Sequence, residues 1–116
     1  MEKRRQELET DVLGANARVP DHIVYRSFAM ETVMLNLKTG RYHVLNPTAG
    51  AMLAELESSD TVAEAAVRLA ARYGQPPETV ERDLCELCLD LLDRGLIELA
   101  GSDGRRIDEG GKDGPR

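Results

Sequence analysis

The stretch that decides the fold is Val33–Ala49, VMLNLKTGRYHVLNPTA, in which two short strands lead into a helix. In Val33–Leu37 an apolar residue recurs at every second position, and this pattern predicts a strand. Three apolar residues share one face of that strand: Val33, Leu35 and Leu37. Gly40 supplies the left-handed backbone that short hairpin loops need. We therefore expect Arg41–Leu45 to return as the antiparallel partner strand.

The residues after this hairpin carry the start and stop signals of helices. Asn46-Pro47 combines a preferred N-cap with a preferred first helical residue, which predicts a helix through residue 57. Asp60 or Thr61 is expected to cap a second helix, because Thr61–Glu64 fits the capping-box pattern. Gly74 ends that second helix.

The order of the elements predicts the fold class. His22–Phe28 is expected to form a first strand, and Pro77–Arg94 a third helix. Three strands followed by three helices indicate an α+β domain over residues 19–100, with the helices covering one face of the sheet. The charge-dense residues 1–18 are expected to form a flexible arm. The Gly-rich and charged residues 101–116 are expected to form a disordered tail.

The charge of the chain is unevenly distributed, and this limits the partners. The net charge is −6, and the two terminal segments are each balanced, with four acids and four bases. Residues 19–100 hold thirteen acids and seven bases, whereas a surface that binds phosphates should be basic. Nucleic acid is therefore not an expected partner. No apolar run is long enough to cross a bilayer, and no signal peptide is evident, so we expect a cytoplasmic protein.

The third predicted helix carries more apolar surface than one small core uses. Its apolar residues cover roughly 200° of the helix, whereas a surface helix usually needs a stripe of about 100°. One half of this surface can face the core. The other half needs a second partner, which is another element of the chain, another subunit or a bound peptide. The residues of this second half are Glu81, Cys85, Cys88, Leu89 and Leu92.

The two cysteines form a C-x-x-C pattern, Cys85-Glu86-Leu87-Cys88. Such a pattern suggests redox chemistry or a metal site. However, it lies in the middle of the predicted helix, away from the helix N-terminus that lowers a thiol pKa. A structural zinc site also takes four ligands, and only His22 and His43 could complete the set. We expect the cysteines to pack or to line a groove. No cofactor, metal site or catalytic residue is expected, and neither is an enzyme.

Several stretches together resemble the PqqD-like family, which contains the recognition elements of ribosomally synthesised, modified peptide pathways. Val33–Tyr42 is similar to the hairpin of the family, and Leu45–Ala49 to its Leu-Asn junction into the first helix. Val80–Leu84 and Leu91–Ile97 are similar to its last helix and exit. The resemblance covers about residues 19–99, and its specificity lies in the order and spacing of these stretches.

The resemblance implies a winged helix-turn-helix-like fold and a non-catalytic function. Members bind the leader segment of a precursor peptide, which adds as a strand beside the third strand and lies in a groove against the third helix. A modifying enzyme, such as a radical-SAM protein, a leader peptidase or a cyclase, then acts on the tethered core peptide. The implied peptide-binding residues are Arg41, Tyr42, His43, Val44, Leu45, Glu81, Cys85, Cys88, Leu89 and Leu92.

Some of these residues have simpler interpretations. His43 can be interpreted as an ordinary strand residue instead of a leader contact, because no catalytic partner lies near it in the sequence. Asp83 matches an acidic position of the family motif, but it lies on the polar arc of the helix, where a solvated or ion-paired role is expected. Glu81 and the negative domain favour a leader that carries Lys or Arg.

Three alternatives remain open at this level. Within the family, a stand-alone lasso-peptide protein competes with a member that serves pyrroloquinoline quinone synthesis, and the hairpin and the Leu-Asn-Pro junction favour the former. A winged-helix DNA-binding regulator is the second alternative. It would need a basic recognition helix, whereas Pro77–Arg94 holds six acids against Arg82 and Arg94. The third is a structural subunit whose apolar stripe is a permanent dimer contact.

Overall fold

The computed structural model describes residues 2–101, 106 and 107, and the side chains from residue 7 onward. In chain order, the elements are α1 Glu2–Leu13, β1 Asn16–Arg18, β2 Ile23–Ser27, β3 Thr32–Asn36, β4 Tyr42–Leu45, α2 Pro47–Glu57, α3 Val62–Tyr73, α4 Pro77–Asp93 and β5 Glu98–Ala100. The three strands β2–β4 form an antiparallel sheet in the order β2-β3-β4. The α+β class, with this sheet followed by three helices, is confirmed. The predicted third strand is β4, and the predicted third helix is α4.

The register of the sheet decides which residues face the core. Met34 pairs with His43, and Thr32 with Leu45. Met34 and Leu45 are buried, so the face of the sheet that carries their side chains is the inner face. The apolar set Val33, Leu35 and Leu37 therefore lies on the opposite, outer face. Alternation within the strand was predicted correctly, and the structure adds that its apolar set points away from the core.

The local signals that start and end the elements act as predicted. Gly40 has φ +77° in the β3–β4 loop, a conformation that favours glycine. The Asn46 side chain accepts a hydrogen bond from the Ala49 N–H at 2.8 Å and caps α2. Thr61 caps α3 by accepting from the Glu64 N–H. The Glu64 carboxylate reaches back to the Asp60 N–H at 2.7 Å, one residue earlier than an ideal capping box.

The core lies between the inner face of the sheet and the three helices α2–α4. Its largest fully buried side chains include Met34, Leu53, Leu56, Leu84, Leu91, Leu96 and Leu99. The helix α2 approaches β3 closely at Gly50, where an added Cβ would collide with Oγ1 of the buried Thr32. Glycine at this position allows the first turns of α2 to lie against the sheet. Nowhere in residues 2–101 is a helix long and apolar enough to cross a bilayer.

The prediction of a flexible arm over residues 1–18 is wrong for the part that the structure describes. The helix α1 packs against α4, and Val12 and Ala15 are fully buried. The strand β1 pairs with β5, with Ala17 opposite Leu99. Only a few apolar residues anchor this segment, so its sequence looks polar although it belongs to the core. The folded unit therefore begins before residue 19.

The predicted disordered tail, residues 101–116, lies mostly outside the described residues. At residues 106 and 107, where the chain is described, it lies against β5. The Ile107 N–H donates to the Leu99 carbonyl at 2.8 Å, and Arg106 forms a bridge with Ala100. The side chain of Ile107 packs against the core. At these two residues the structure shows ordered contacts in place of the expected disorder.

Candidate functional site

The strand β4 is an edge strand, and its outward main-chain groups can be assigned from the register. The Asn36 N–H donates to the Arg41 carbonyl at 2.9 Å, which makes these two residues a hydrogen-bonded pair. In an antiparallel ladder such pairs recur every second residue, so His43 and Leu45 also direct their main-chain groups to β3. The N–H and C=O groups of Tyr42 and Val44 consequently point to the free edge.

A pocket of about 500 Å³ lies just beyond the end of β4. Three helices form its walls, and the part from α2 starts two residues after β4 ends. The lining residues are Pro47, Thr48, Ala51 and Met52 of α2, Leu69, Tyr73 and Gln75 at the end of α3, and Thr79, Val80 and Asp83 at the start of α4. Most of this surface is apolar, so the pocket suits an apolar side chain better than a polar one.

One charged side chain lines the pocket, the exposed Asp83. No ion pair or hydrogen bond joins its carboxylate to another of the described side chains. The ring of Tyr73 is 54% exposed at the same pocket. The pocket therefore offers an apolar floor with one carboxylate, which suits an apolar ligand group next to a cationic or hydrogen-bond-donating group.

A buried carboxylate holds two walls of the pocket together. Glu55 of α2 is only 6% exposed, and its Oε1 accepts from Nη2 of Arg72 at 2.6 Å. Arg68 contributes a second, longer ion pair at 3.6 Å. The Arg72 guanidinium also lies 5.9 Å from the centre of the Tyr73 ring. These contacts join α2 to the end of α3 and support Tyr73 at the pocket.

The opposite flank of α4, which the sequence predicted as a groove, is closed by α1. Cys85 and Cys88 are 2% and 0% exposed, and Sγ of Cys85 lies 3.8 Å from the Glu9 carbonyl oxygen. In the described structure these two cysteines are buried and do not line an open groove, and their contact with a leader stays a prediction. Cys85 is in contact with another element of the same chain, the helix α1.

The two thiols have the properties of packed side chains. Burial raises the pKa of Cys88 to about 12. Burial likewise raises the pKa of Cys85 to about 12, and the neighbouring carboxylates of Glu9, Glu81 and Glu86 add to this shift. A protonated thiol is neither a nucleophile nor a metal ligand. Among the described residues, no group of three or more His, Cys, Asp or Glu side chains could hold a metal ion.

The other predicted site residues divide between the strand and the helix. Along β4, Tyr42 and Val44 are exposed on the outer face, His43 is half-buried and Leu45 is buried on the inner face, and Arg41 is exposed just before the strand. On α4, Glu81 is half-buried, and Leu89 and Leu92 are partly buried against the core. The structure thus does not bring the helix residues of the prediction onto the flank that lines the pocket.

The sequence prediction missed the residues of α4 that do line the pocket: Thr79, Val80 and Asp83. A signal for this flank was present, because Asp83 matched the acidic position of the family motif. It was set aside because Asp83 lies on the polar arc of the helix. The missed residues adjoin the core stripe on the side away from α1.

Fold and site together define a class: a small α+β domain with an unpaired strand edge that leads to an apolar pocket. A family model described as coenzyme PQQ synthesis protein D (PqqD) matches residues 31–97. The chain therefore belongs to the PqqD family, as the resemblance predicted, and is an accessory protein without catalytic activity of its own. A comparison with curated proteins finds no match.

Two solved structures are similar to this chain over most of its length. One is described as TbiB1 in complex with the TbiA(beta) leader peptide, with 29% identity and a TM-score of 0.63, covering 69% of this chain and 93% of that one. The other is described as lasso peptide synthetase B1 complexed with the leader peptide, with 26% identity and a TM-score of 0.64. It covers 72% of this chain and 98% of that one.

Proposed function

We propose that this protein binds the leader segment of a ribosomally made precursor peptide and presents the precursor to the enzymes that modify it. The observation that carries this proposal is the free edge of β4, which leads into the pocket beside α4. Family membership and two similar structures described as leader-peptide complexes support the same function.

The leader binds by adding a strand to β4. Main-chain groups of Tyr42 and Val44 point to the free edge and are available to a peptide in extended conformation. These hydrogen bonds supply affinity, and a pocket for side chains supplies specificity. Arg41, His43 and Leu45 keep β4 in the sheet. Tyr42, His43 and Leu45 belong to the strand that the leader lies against, and Arg41 directly precedes it.

The pocket selects the leader by accepting one apolar side chain of the peptide. An apolar group enters between α2 and α4, and a Lys, Arg or hydroxyl group of the leader reaches Asp83. The acidic charge of the helices favours a leader with basic residues. In this proposal, the residues of α4 that contact the leader are Thr79, Val80 and Asp83, which line the pocket. They replace the predicted set of Glu81, Cys85, Cys88, Leu89 and Leu92.

We favour a lasso-peptide pathway over pyrroloquinoline quinone synthesis. One of the two similar structures is described as a lasso peptide synthetase B1, and its alignment spans nearly the whole of that chain. The modifying enzyme in such a pathway would be a separate leader peptidase or cyclase. The protein then acts by holding the precursor near that enzyme, which raises the effective concentration of the core peptide.

The two alternatives from the sequence have lost support. A DNA-binding role needs a basic α4, and this helix carries a net charge of −5, from six acids and Arg82. The dimer hypothesis depended on an uncovered apolar stripe at Cys85, Cys88, Leu89 and Leu92, and in the structure both cysteines are buried and both leucines are partly buried. No observation on the described residues favours either role over peptide binding.

A titration with a fluorescent leader peptide tests the strand addition. The peptide is taken from the short precursor reading frame beside the gene. Val44→Pro removes one N–H that points to the free edge, and proline is tolerated at such an edge position. We expect the affinity to fall at least tenfold, through the lost hydrogen bond and the bulk of the ring. Val44→Ala keeps the N–H and should bind within about threefold of the wild type.

A second pair of variants tests the pocket. Asp83→Asn should weaken binding of a basic leader several-fold and reduce its salt dependence. Glu86→Gln is the matched control, since Glu86 is exposed on the same helix and does not line the pocket. Equal affinities for these two variants would place the basic residues of the leader elsewhere. A wild-type protein that binds no leader at micromolar concentration would contradict the proposed function.

A further inference from the structure

The outer face of the sheet is an exposed apolar surface, and the proposed strand addition uses only the main-chain edge of its strand β4. Its residues form two cross-strand rows, Val24–Leu35–Tyr42 and Arg26–Val33–Val44. Of the eight large apolar side chains that are exposed in the described part of the chain, six lie within β2–β4 and their loops. They are Val24, Phe28, Met30, Leu37, Tyr42 and Val44. A concentration of this kind marks a surface for interaction.

The charge around this surface has the opposite sign to the rest of the domain. Residues 22–45 hold three bases and one acid, a net charge of +2, whereas residues 46–100 hold four bases and eleven acids, a net charge of −7. The three bases are Arg26, Lys38 and Arg41. All three are exposed, and none forms an ion pair with another described residue. Arg26 lies within the outer face itself.

We propose that the outer face of the β2–β4 sheet docks the enzyme that modifies the precursor, through an apolar patch with an acidic rim on that enzyme. This inference rests on the proposed function. The apolar rows provide the buried centre of the contact, and Arg26, Lys38 and Arg41 provide its charged rim. The free edge of β4 stays open in this arrangement, so leader and enzyme occupy different surfaces of one sheet.

Two other occupants fit this face less well. A second copy stacked face to face would bring the cationic rims together, and like charges at a contact are unfavourable. A second copy that uses its acidic helices would meet little apolar surface, since Val67 and Tyr73 are the only exposed large apolar residues among the described side chains of the helices. An anionic membrane would attract three cations but would repel a chain with a net charge of −6.

The test uses two variants on β2, the strand farthest from the leader edge. Val24→Glu places a negative charge in the apolar row, and Arg26→Glu reverses the rim charge. Val67→Glu on α3 is the matched control, with the same substitution at a similarly exposed valine. Isothermal titration measures the affinity of each full-length protein for the purified modifying enzyme encoded beside the precursor, and for the leader peptide.

We expect Val24→Glu and Arg26→Glu to weaken enzyme binding at least tenfold, while leader affinity changes less than twofold. Val67→Glu should change neither, and Arg26→Lys should retain most of the enzyme affinity. Retained leader binding also shows that the variants fold. The two titrations test different claims. A wild-type protein that does not bind the leader contradicts the proposed function, whereas the docking proposal is tested by the titration with the enzyme.

Three results would overturn the docking proposal. The first is an enzyme affinity that is unchanged in both Val24→Glu and Arg26→Glu, or absent in the wild type with precursor present. The second is a wild-type dimer, by light scattering, that Val24→Glu dissociates. The third is binding of the wild type, lost in Val24→Glu, to vesicles of phosphatidylserine and phosphatidylcholine.

Discussion

The two flanks of α4 differ in how far the rest of the chain covers them. On one flank, Cys85 and Cys88 are buried, and Cys85 contacts Glu9 of α1. On the other, Val80 and Asp83 line an open pocket at the end of β4. Apolar surface on a helix therefore does not by itself identify a binding site. Our proposal places the site on the flank that is open in the described part of the chain and lies beside the unpaired strand edge.

The same comparison explains the properties of the cysteines. Burial beneath α1 holds both thiols protonated over the whole range of neutral pH. The open flank instead carries an ionisable side chain, Asp83, in contact with solvent. One flank therefore contributes stability to the domain, and we propose the other for recognition. Four predictions test this division, in order of decreasing effect.

The same new side chain on the two flanks should give opposite outcomes. Cys88→Arg buries an unpaired charge in the core, which we expect to cost about 4 kcal/mol or more of the free energy of unfolding. Asp83→Arg is placed in solvent and should unfold at nearly the wild-type temperature while it loses affinity for a basic leader. Thermal unfolding by circular dichroism measures the first effect. A wild-type melting temperature for Cys88→Arg would show that α1 does not close this flank.

Thiol reactivity reports whether α1 moves. With Ellman's reagent at pH 8, both thiols of the wild type should react slowly, at a rate unchanged by saturating leader. Val12→Asp places a charge where α1 meets the core and should expose Cys85 to reaction. We expect it to cost about 3 kcal/mol of stability. A leader that accelerates the reaction of the wild-type thiols would instead bind on the flank beneath α1.

The raised thiol pKa values predict a loss of stability at alkaline pH. An unfolded cysteine loses its proton near pH 9.0, whereas folded Cys88 keeps its proton up to about 12. Between these values the unfolded state binds fewer protons, so the free energy of unfolding falls as pH rises. Between pH 8 and 10 the fall from Cys88 is about 1.4 kcal/mol. Cys88→Ala should flatten the pH dependence measured by urea unfolding, and an equally steep curve would contradict the burial of this thiol.

The pocket flank depends on the close approach of α2 to the sheet. Gly50→Ala forces α2 away from Thr32, and this strain is partly offset by the better helix propensity of alanine. We expect a net loss of about 1 kcal/mol of stability. Leader affinity should also fall, because Ala51 and Met52 of the pocket wall move with the helix. Adding Thr32→Ala should restore part of the lost stability and part of the lost leader affinity. Additive losses in the double variant would show that Gly50 and Thr32 do not interact.

Much of the fold was predictable from local signals. The hairpin at Gly40, the cap at Asn46 and the stop at Gly74 each act through a few neighbouring residues, so the sequence defines them without long-range information. The whole of α2, Pro47–Glu57, was predicted with the observed bounds. The family resemblance added the connection between β4 and α4.

The N-terminal segment was not predictable in the same way. The helix α1 is held by Val12 and Ala15 and by the contact between Glu9 and Cys85, which lies 76 residues away in the chain. Its polar sequence gives no amphipathic signal, so its place over α4 depends on tertiary contacts alone. The periodicity of α4 shows two apolar halves without showing which half α1 covers, so the predicted peptide-binding residues include the buried Cys85 and Cys88.

Amide hydrogen exchange with and without leader, resolved by nuclear magnetic resonance, measures whether the leader pairs with the free edge of β4. The N–H groups of Tyr42 and Val44 point to the free edge, and the N–H of His43 is already bonded to β3. The account predicts that saturating leader slows exchange at Tyr42 and Val44 at least tenfold and leaves His43 nearly unchanged. Unchanged exchange at Tyr42 and Val44, with protection appearing instead in α1 or around Cys85, would contradict it.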